Sequence, residues 1–208
     1  MREWTHGQAR RRDPQSNVAS LGHVAVGLCA GRTLSGVEQR HVRASMVVFS
    51  GLALLPDLDY LGVAMGLPNE GPLGHRGAAH SLVPALLVGL LAALLAPRWS
   101  VGRWRLGLVA GLVVASHALL DAMTTDSRGA PLLWPFTFHR FAMPWRPIPN
   151  APCGLSYISP LGLRVAATEF IQFFPFLLVA FRPASRRPPP RPAPAPVAKT
   201  ARPVGAER

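Results

Sequence analysis

Ionisable residues interrupt the apolar stretches of this chain in a recurring way. LLPDLDYLG carries Asp57 and Asp59, GHRGAAHSL carries His75, Arg76 and His80, ASHALLDAM carries His117 and Asp121, and a shorter apolar stretch carries His23. A charged side chain inside a bilayer costs roughly 2.5–3.5 kcal/mol on insertion scales, so such residues call for a partner, water or a metal ion. Mixed imidazole and carboxylate donors suit a divalent cation, zinc above others, at one or two ions. Zinc lowers the pKa of its bound water to about 7 and so provides a nucleophile at neutral pH. The chemistry on offer is hydrolysis by a metal-bound hydroxide.

Spacing sorts the candidates. His117 and Asp121 are four residues apart, about 40° around a helix, so both project from one face and can share an ion or form a plain hydrogen-bonded pair. Asp57 and Asp59 would diverge by about 200° on a regular helix and face one site only if Pro56 breaks it. One of them is expected to be a ligand and the other to hold a histidine or a backbone amide; Asp59 is placed with the ligands, and Asp57 as the carboxylate that orients a ligand or accepts a proton. His75 and His80 flank Gly77, which permits a tight approach, and His80 or Ser81 would sit at a helix N-terminus, where spare amides favour an anion. Arg76, always charged, suits a phosphate or carboxylate of the substrate and equally a headgroup anchor. The metal candidates are therefore His23, Asp59, His75, His80, His117 and Asp121, with Asp57 and Arg76 as catalytic candidates. As a lone histidine on an apolar helix, His23 also reads as structural. His6, His41 and His139 lie in polar or loop contexts and read as solvated.

The elements that must carry these groups are apolar runs over about Val18–Gly31, Ala44–Gly66, Ala79–Ala96, Leu106–Met123 and Val165–Phe181. The first is short. The other four reach the roughly 17–20 residues that a membrane span needs. Buried core helices of a soluble all-α protein are the alternative, but four such runs in 208 residues leave too little polar surface to cover them. The expected fold is an all-α polytopic membrane bundle of four to five apolar helices. A polar basic segment (1–18) precedes the membrane-embedded domain (19–182), and a disordered Pro/Arg-rich tail (183–208) with eight prolines follows it. The polar N-terminus has no apolar run of the kind a secretory signal needs. Cys29 and Cys153 match no metal or redox spacing.

The net charge of +12 conflicts with only 15% charged and 49% hydrophobic residues if it is read as a nucleic-acid-binding surface. The basic residues are local: Arg32, Arg40 and Arg43 before the second run, Arg98, Arg103 and Arg105 before the fourth, and six in the tail. By the positive-inside rule these linkers and the tail face the cytoplasm, which places Asp57, Asp59, His75, His80, His117 and Asp121 together toward the outer side. Arg2, Arg10, Arg11 and Arg12 oppose this scheme if the first run spans, so a re-entrant or interfacial helix stays open for it. The loop over 124–164 carries Trp134, Phe136, Phe138, Phe141, Trp145 and Tyr157, which suit the headgroup layer or a packing cap over the helices. The tail has no aromatic residue on which bases could stack, so anionic lipid headgroups fit it better than nucleic acid. Oligomeric state leaves no mark in the sequence.

With these residues in view, the chain resembles the LexA-regulated, membrane-bound metal-dependent hydrolase family, also called YdjM-like. The resemblance runs from about His23 to Pro149 through GHVAVG, LLPDLDYLG, HRGAAHSL and SHALLDAMTTDSRGAPLLWPF in that order. It implies a multi-pass protein of the bacterial inner membrane with a metal site. A looser likeness is to zinc-dependent phospholipase C, whose ligand order of His, Asp, His, then HxxxD is matched by His23, Asp59, His75 or His80, and His117 with Asp121. The later HxxxE pair of those enzymes has no counterpart, Glu169 being the only nearby late acid, so one or two ions are implied and not three. Two readings follow: hydrolysis of an ester or phosphoester, a lipid included, at the outer interface, or a non-enzymatic membrane protein whose His/Asp cluster is structural or an ion relay.

Overall fold

The computed structural model describes residues 21–35, 41–69, 71–96, 102–125, 128–152 and 157–183. The N-terminal segment 1–18, Cys153 and the tail beyond Pro183 lie outside these residues.

Helix α1 covers Leu21–Leu34, and α2 covers Val42–Leu54. A 3₁₀ turn over Leu55–Leu58 leads from α2 into α3, Asp59–Ala64. A second 3₁₀ turn, Ala78–His80, precedes α4 (Leu82–Leu95), followed by α5 (Arg103–Ala122) and α6 (Pro160–Phe181). Among the described residues there is no strand, only the isolated bridges Thr124 to Ile148 and Ala130 to Phe141. The fold is an all-α membrane helical one.

Three helical stretches are long and apolar enough to cross a bilayer: Val42–Ala64, Arg103–Ala122 and Pro160–Phe181, with mean hydropathies of 1.5, 1.4 and 1.5. The run expected over Ala79–Ala96 contributes a helix of only 14 residues, about 21 Å against a hydrocarbon core of about 30 Å. Its ends account for the difference. Ser81 caps it by accepting from Val83 N at 3.3 Å, which leaves Ala78–His80 to a separate 3₁₀ turn, and Ala96 is extended ahead of a proline. Leucines 86, 87, 90, 91, 94 and 95 of α4 and Phe170, Ile171, Phe174, Leu178 and Phe181 of α6 point outward, as expected of helices solvated by lipid.

Helix α1 is short but central: it packs against α2, α5 and α6, while α4 packs on α5. Small residues bring the backbones together. A Cβ at Gly27 would sit 2.5 Å from Ser50 Cα, and one at Gly31 would sit 2.6 Å from Met46 Cα, so α1 lies directly on the α2 backbone. Gly107 meets the Gly89 carbonyl in the same way between α5 and α4. The apolar contacts gather around Phe49, Ala53, Ala110 and Val113, and around Ala25, Ile148 and Phe173. Glu169, fully buried on α6, accepts from Leu21 N at 2.8 Å and so satisfies a first-turn amide of α1 from a different helix.

Gly27→Leu is expected to destabilise the detergent-solubilised protein at or above the upper end of the roughly 1–3 kcal/mol typical of overpacking, because backbone stands where the side chain would go. Gly51 has nothing within 4 Å of its Cβ position, so Gly51→Ala leaves the thermal midpoint unchanged or raises it. Equal midpoints for the two variants would contradict this account of the α1–α2 contact.

Candidate metal centre

The expected site residues converge where α2 breaks, α4 begins and α5 ends. Pro56 has no N–H to continue the helix, and the chain tightens into the 3₁₀ turn that carries Asp57, with Asp59 opening α3. The two side chains are thereby turned toward one region. The last turns of α5 supply His117 and Asp121, and α1 supplies His23, whose ring lies 4.0 Å from that of His117.

The loop before α4 is shaped for its task. A Cβ on Gly77 would collide with the Pro72 carbonyl. Arg76 is held at φ 58°, a left-handed conformation costing a non-glycine residue on the order of 1–3 kcal/mol unless its surroundings enforce it. Here they do: Arg76 N donates to Asp59 Oδ2 at 3.0 Å, and Arg76 Nη2 donates to Asp121 Oδ1 at 3.0 Å. One strained residue thus links the acid of α3 to the acid of α5. Its guanidinium is turned inward onto a carboxylate.

Hydrogen bonds set which atom each histidine presents. His117 Nδ1 lies 2.7 Å from the Ala53 carbonyl and must donate to it, so Nε2 keeps its lone pair and faces inward. His75 Nδ1 lies 2.8 Å from Asp59 Oδ1, which likewise leaves the buried Nε2 of His75 without a hydrogen-bond partner. Asp59 therefore has both oxygens occupied, Oδ1 by His75 and Oδ2 by the Arg76 amide and, at 3.1 Å, by His80 Nδ1. Asp57 faces the Nε2 atoms of His80 and His117.

Four donor atoms come together at the centre. His80 Nε2 and His117 Nε2 are 3.1 Å apart. Asp57 Oδ1 lies 3.6 and 3.3 Å from them, and Asp121 Oδ2 lies 3.3 and 3.7 Å from them. A tetrahedral ion with bonds of about 2.0–2.1 Å sets its donors roughly 3.3–3.4 Å apart. The five spacings that involve an imidazole, 3.1–3.7 Å, straddle that value. Around the same point, two triads could each hold an ion: His23, His117 and Asp121, and Asp57, His75 and His80. Asp57 Oδ2 and His75 Nε2 are buried without hydrogen-bond partners, an unmet demand that an ion would answer.

Electrostatics point the same way. Asp57, Asp59 and Asp121 surround the imidazoles, and Arg76 is the fixed cation among them, so the cluster is short of positive charge unless a cation or protons join it. Burial sharpens the demand, since the His80 side chain is 0% exposed. Asp57, at 17% side-chain exposure, is the least enclosed of the three carboxylates.

Some groups were not evident from the sequence. The first-turn amides of α4, expected to be spare for an anion, are used internally: Val83 N donates to Ser81 Oγ and Leu82 N donates to the Leu132 carbonyl. Tyr60 packs edge-on against His75 with centroids 5.6 Å apart. Glu169 anchors the start of the helix that carries His23. Its one sequence signal is an acid isolated in an apolar run. His41 and His139 are exposed, and His6 lies outside the described residues.

No solved structure matches the chain. It is similar to the inner membrane protein YbcI of Escherichia coli, at 39% identity over 155 residues that cover 73% of this chain and 87% of the relative. The model of the YdjM inner membrane protein family matches residues 18–187 and so takes in every described helix and the whole cluster. The chain belongs to the YdjM inner membrane protein family and is a multi-pass protein of the bacterial inner membrane.

Proposed function

We propose that this protein is a metal-dependent hydrolase that cleaves an ester or phosphoester, of a lipid by preference, at the outer face of the inner membrane. The observation that carries the reading is the convergence of His80 Nε2 and His117 Nε2, 3.1 Å apart, with Asp57 Oδ1 and Asp121 Oδ2 each 3.3–3.7 Å from both. A divalent ion there, zinc by its donor chemistry, would supply an activated water at neutral pH.

The chain's own residues divide the remaining work. His80, His117, Asp57 and Asp121 are the central donors, with His23 and His75 extending the set to a second ion. The spacing shifts Asp57 toward a ligand role and Asp59 toward a supporting one, since Asp59 already holds His75 and the Arg76 amide. Arg76 positions Asp121 by its ion pair. Asp57, on the exposed side, is also placed to accept a proton from an approaching water. Phe136, Phe138 and Trp145 are exposed on the loop after α5, at the same end as the cluster, where aromatic rings suit the headgroup layer from which a lipid would come.

One observation favours the non-catalytic reading. The Arg76–Asp121 and His75–Asp59 pairs are buried and hydrogen-bonded, so the cluster can tie α3, α5 and the loop together without turnover.

Two measurements separate these readings. Purified protein is expected to carry one or two equivalents of divalent metal, His117→Ala and Asp121→Ala to lose them, and Asp59→Asn to weaken affinity about 10–100-fold; unchanged metal content in the first two variants would remove the basis of the proposal. Hydrolysis of a generic phosphodiester or lipid ester is expected to stop with chelator and return with zinc or manganese. A chelator that lowers the thermal midpoint of a protein with no turnover on either substrate class supports the structural reading instead.

A further inference from the structure

The end of the bundle opposite the cluster has a contrasting character. Here α1 and α6 end, α2 and α5 begin, and Arg32, Arg43, Arg103, Arg105 and Arg182 gather. The four described acids, Asp57, Asp59, Asp121 and Glu169, all lie toward the other end. Arg32 is buried at 8% exposure; its Nη2 donates to the Arg182 carbonyl at 2.7 Å and pins the end of α6, while its Nε has no hydrogen-bond partner. Arg103 lies over the Trp104 ring, 5.1 Å from its centroid, and Trp104 is 61% exposed, an arrangement that suits headgroup depth.

Between α1, α5 and α6 at this end is a cavity of about 230 Å³. Its walls are mainly apolar, including Val26, Ala30, Val109 and Phe176, and its polar contributors include Thr33 and the exposed Arg105. Apolar walls with a guanidinium at one end match a molecule that is a hydrocarbon chain for most of its length and an anion at its head. A free phosphate would leave the apolar walls unused, and a neutral lipid would leave Arg105 unanswered.

We infer that this cavity is a binding site for an anionic phospholipid, its phosphate at Arg105 and its acyl chain along α1, α5 and Phe176. Charge complementarity selects the occupant: basic pockets between membrane helices recognise anionic headgroups, and Arg105 can offer two parallel donors to a phosphate. The site is independent of any reaction at the His/Asp cluster, and its occupancy would hold together the three helices that meet there.

The test is native mass spectrometry of the full chain in neutral detergent with phosphatidylglycerol, phosphatidylcholine or glycerol phosphate added separately. One phosphatidylglycerol is expected to remain bound with about tenfold preference over phosphatidylcholine, and glycerol phosphate alone is not expected to be retained. Arg105→Gln is expected to abolish the preference, whereas Arg43→Gln, exposed at the same end but outside the cavity, keeps it. Equal retention of both lipids, or equal loss in the two variants, would overturn the site in favour of diffuse surface charge. Retention of glycerol phosphate would overturn it in favour of a simple anion site. Because Arg105 is exposed, its replacement leaves the fold intact, checked by an unchanged thermal midpoint without lipid.

Discussion

Three carboxylates enclosed among apolar helices set the conditions that the rest of this structure meets. Removing an ion from water costs several kcal/mol even after relaxation, and that cost is offset only by opposite charge and hydrogen bonds in good geometry. Asp59 receives a backbone amide, Asp121 receives a guanidinium, and Asp57, Asp59 and Asp121 each lie close to two imidazoles. The break at Pro56, the crowded Gly77 and the left-handed Arg76 all serve this placement.

That demand also explains why the short α1 lies at the centre. Its glycines at 27 and 31 let it approach the α2 backbone closely, which brings His23 onto His117 at a ring distance that a larger interface residue would prevent. The buried Glu169 of α6 then satisfies the start of α1 from across the bundle. Small residues and a buried acid far from the cluster in sequence thus set the reach of one of its histidines. Stability and site geometry rest on the same contacts.

Much of this was legible in the sequence, for identifiable reasons. The four-residue spacing of His117 and Asp121 is a property of the helix alone, and Pro56 announces its break through a missing donor. The order of the motifs carried the family resemblance. The different surroundings of Asp57 and Asp59 were not legible, because rotation through a 3₁₀ turn depends on what packs against it; there, the His75 loop takes Asp59. Hydropathy marked Ala79–Ala96 as long enough to span, but it counts side chains and cannot register that Ser81 starts the helix afresh. The spare amides expected at that start are partly taken by the loop carbonyl of Leu132, a contact between residues 50 positions apart.

The two ends of the bundle answer opposite requirements, and this gives the charge of the chain its structural meaning. Acids with imidazoles are drawn inward at one end, where burial strengthens their pull on a cation. Arginines collect at the other, where long side chains can reach the headgroup layer while their stems stay apolar. A residue at the wrong end would have neither solution: an acid among the arginines would neutralise part of that basic surface, and an additional arginine in the cluster would compete with the imidazoles for the carboxylates. Arg76 is tolerated there because it takes one oxygen of Asp121 and leaves the other facing the imidazoles. The separation of charge along the helices therefore leaves the buried carboxylates to the imidazoles and to the one guanidinium that reaches them.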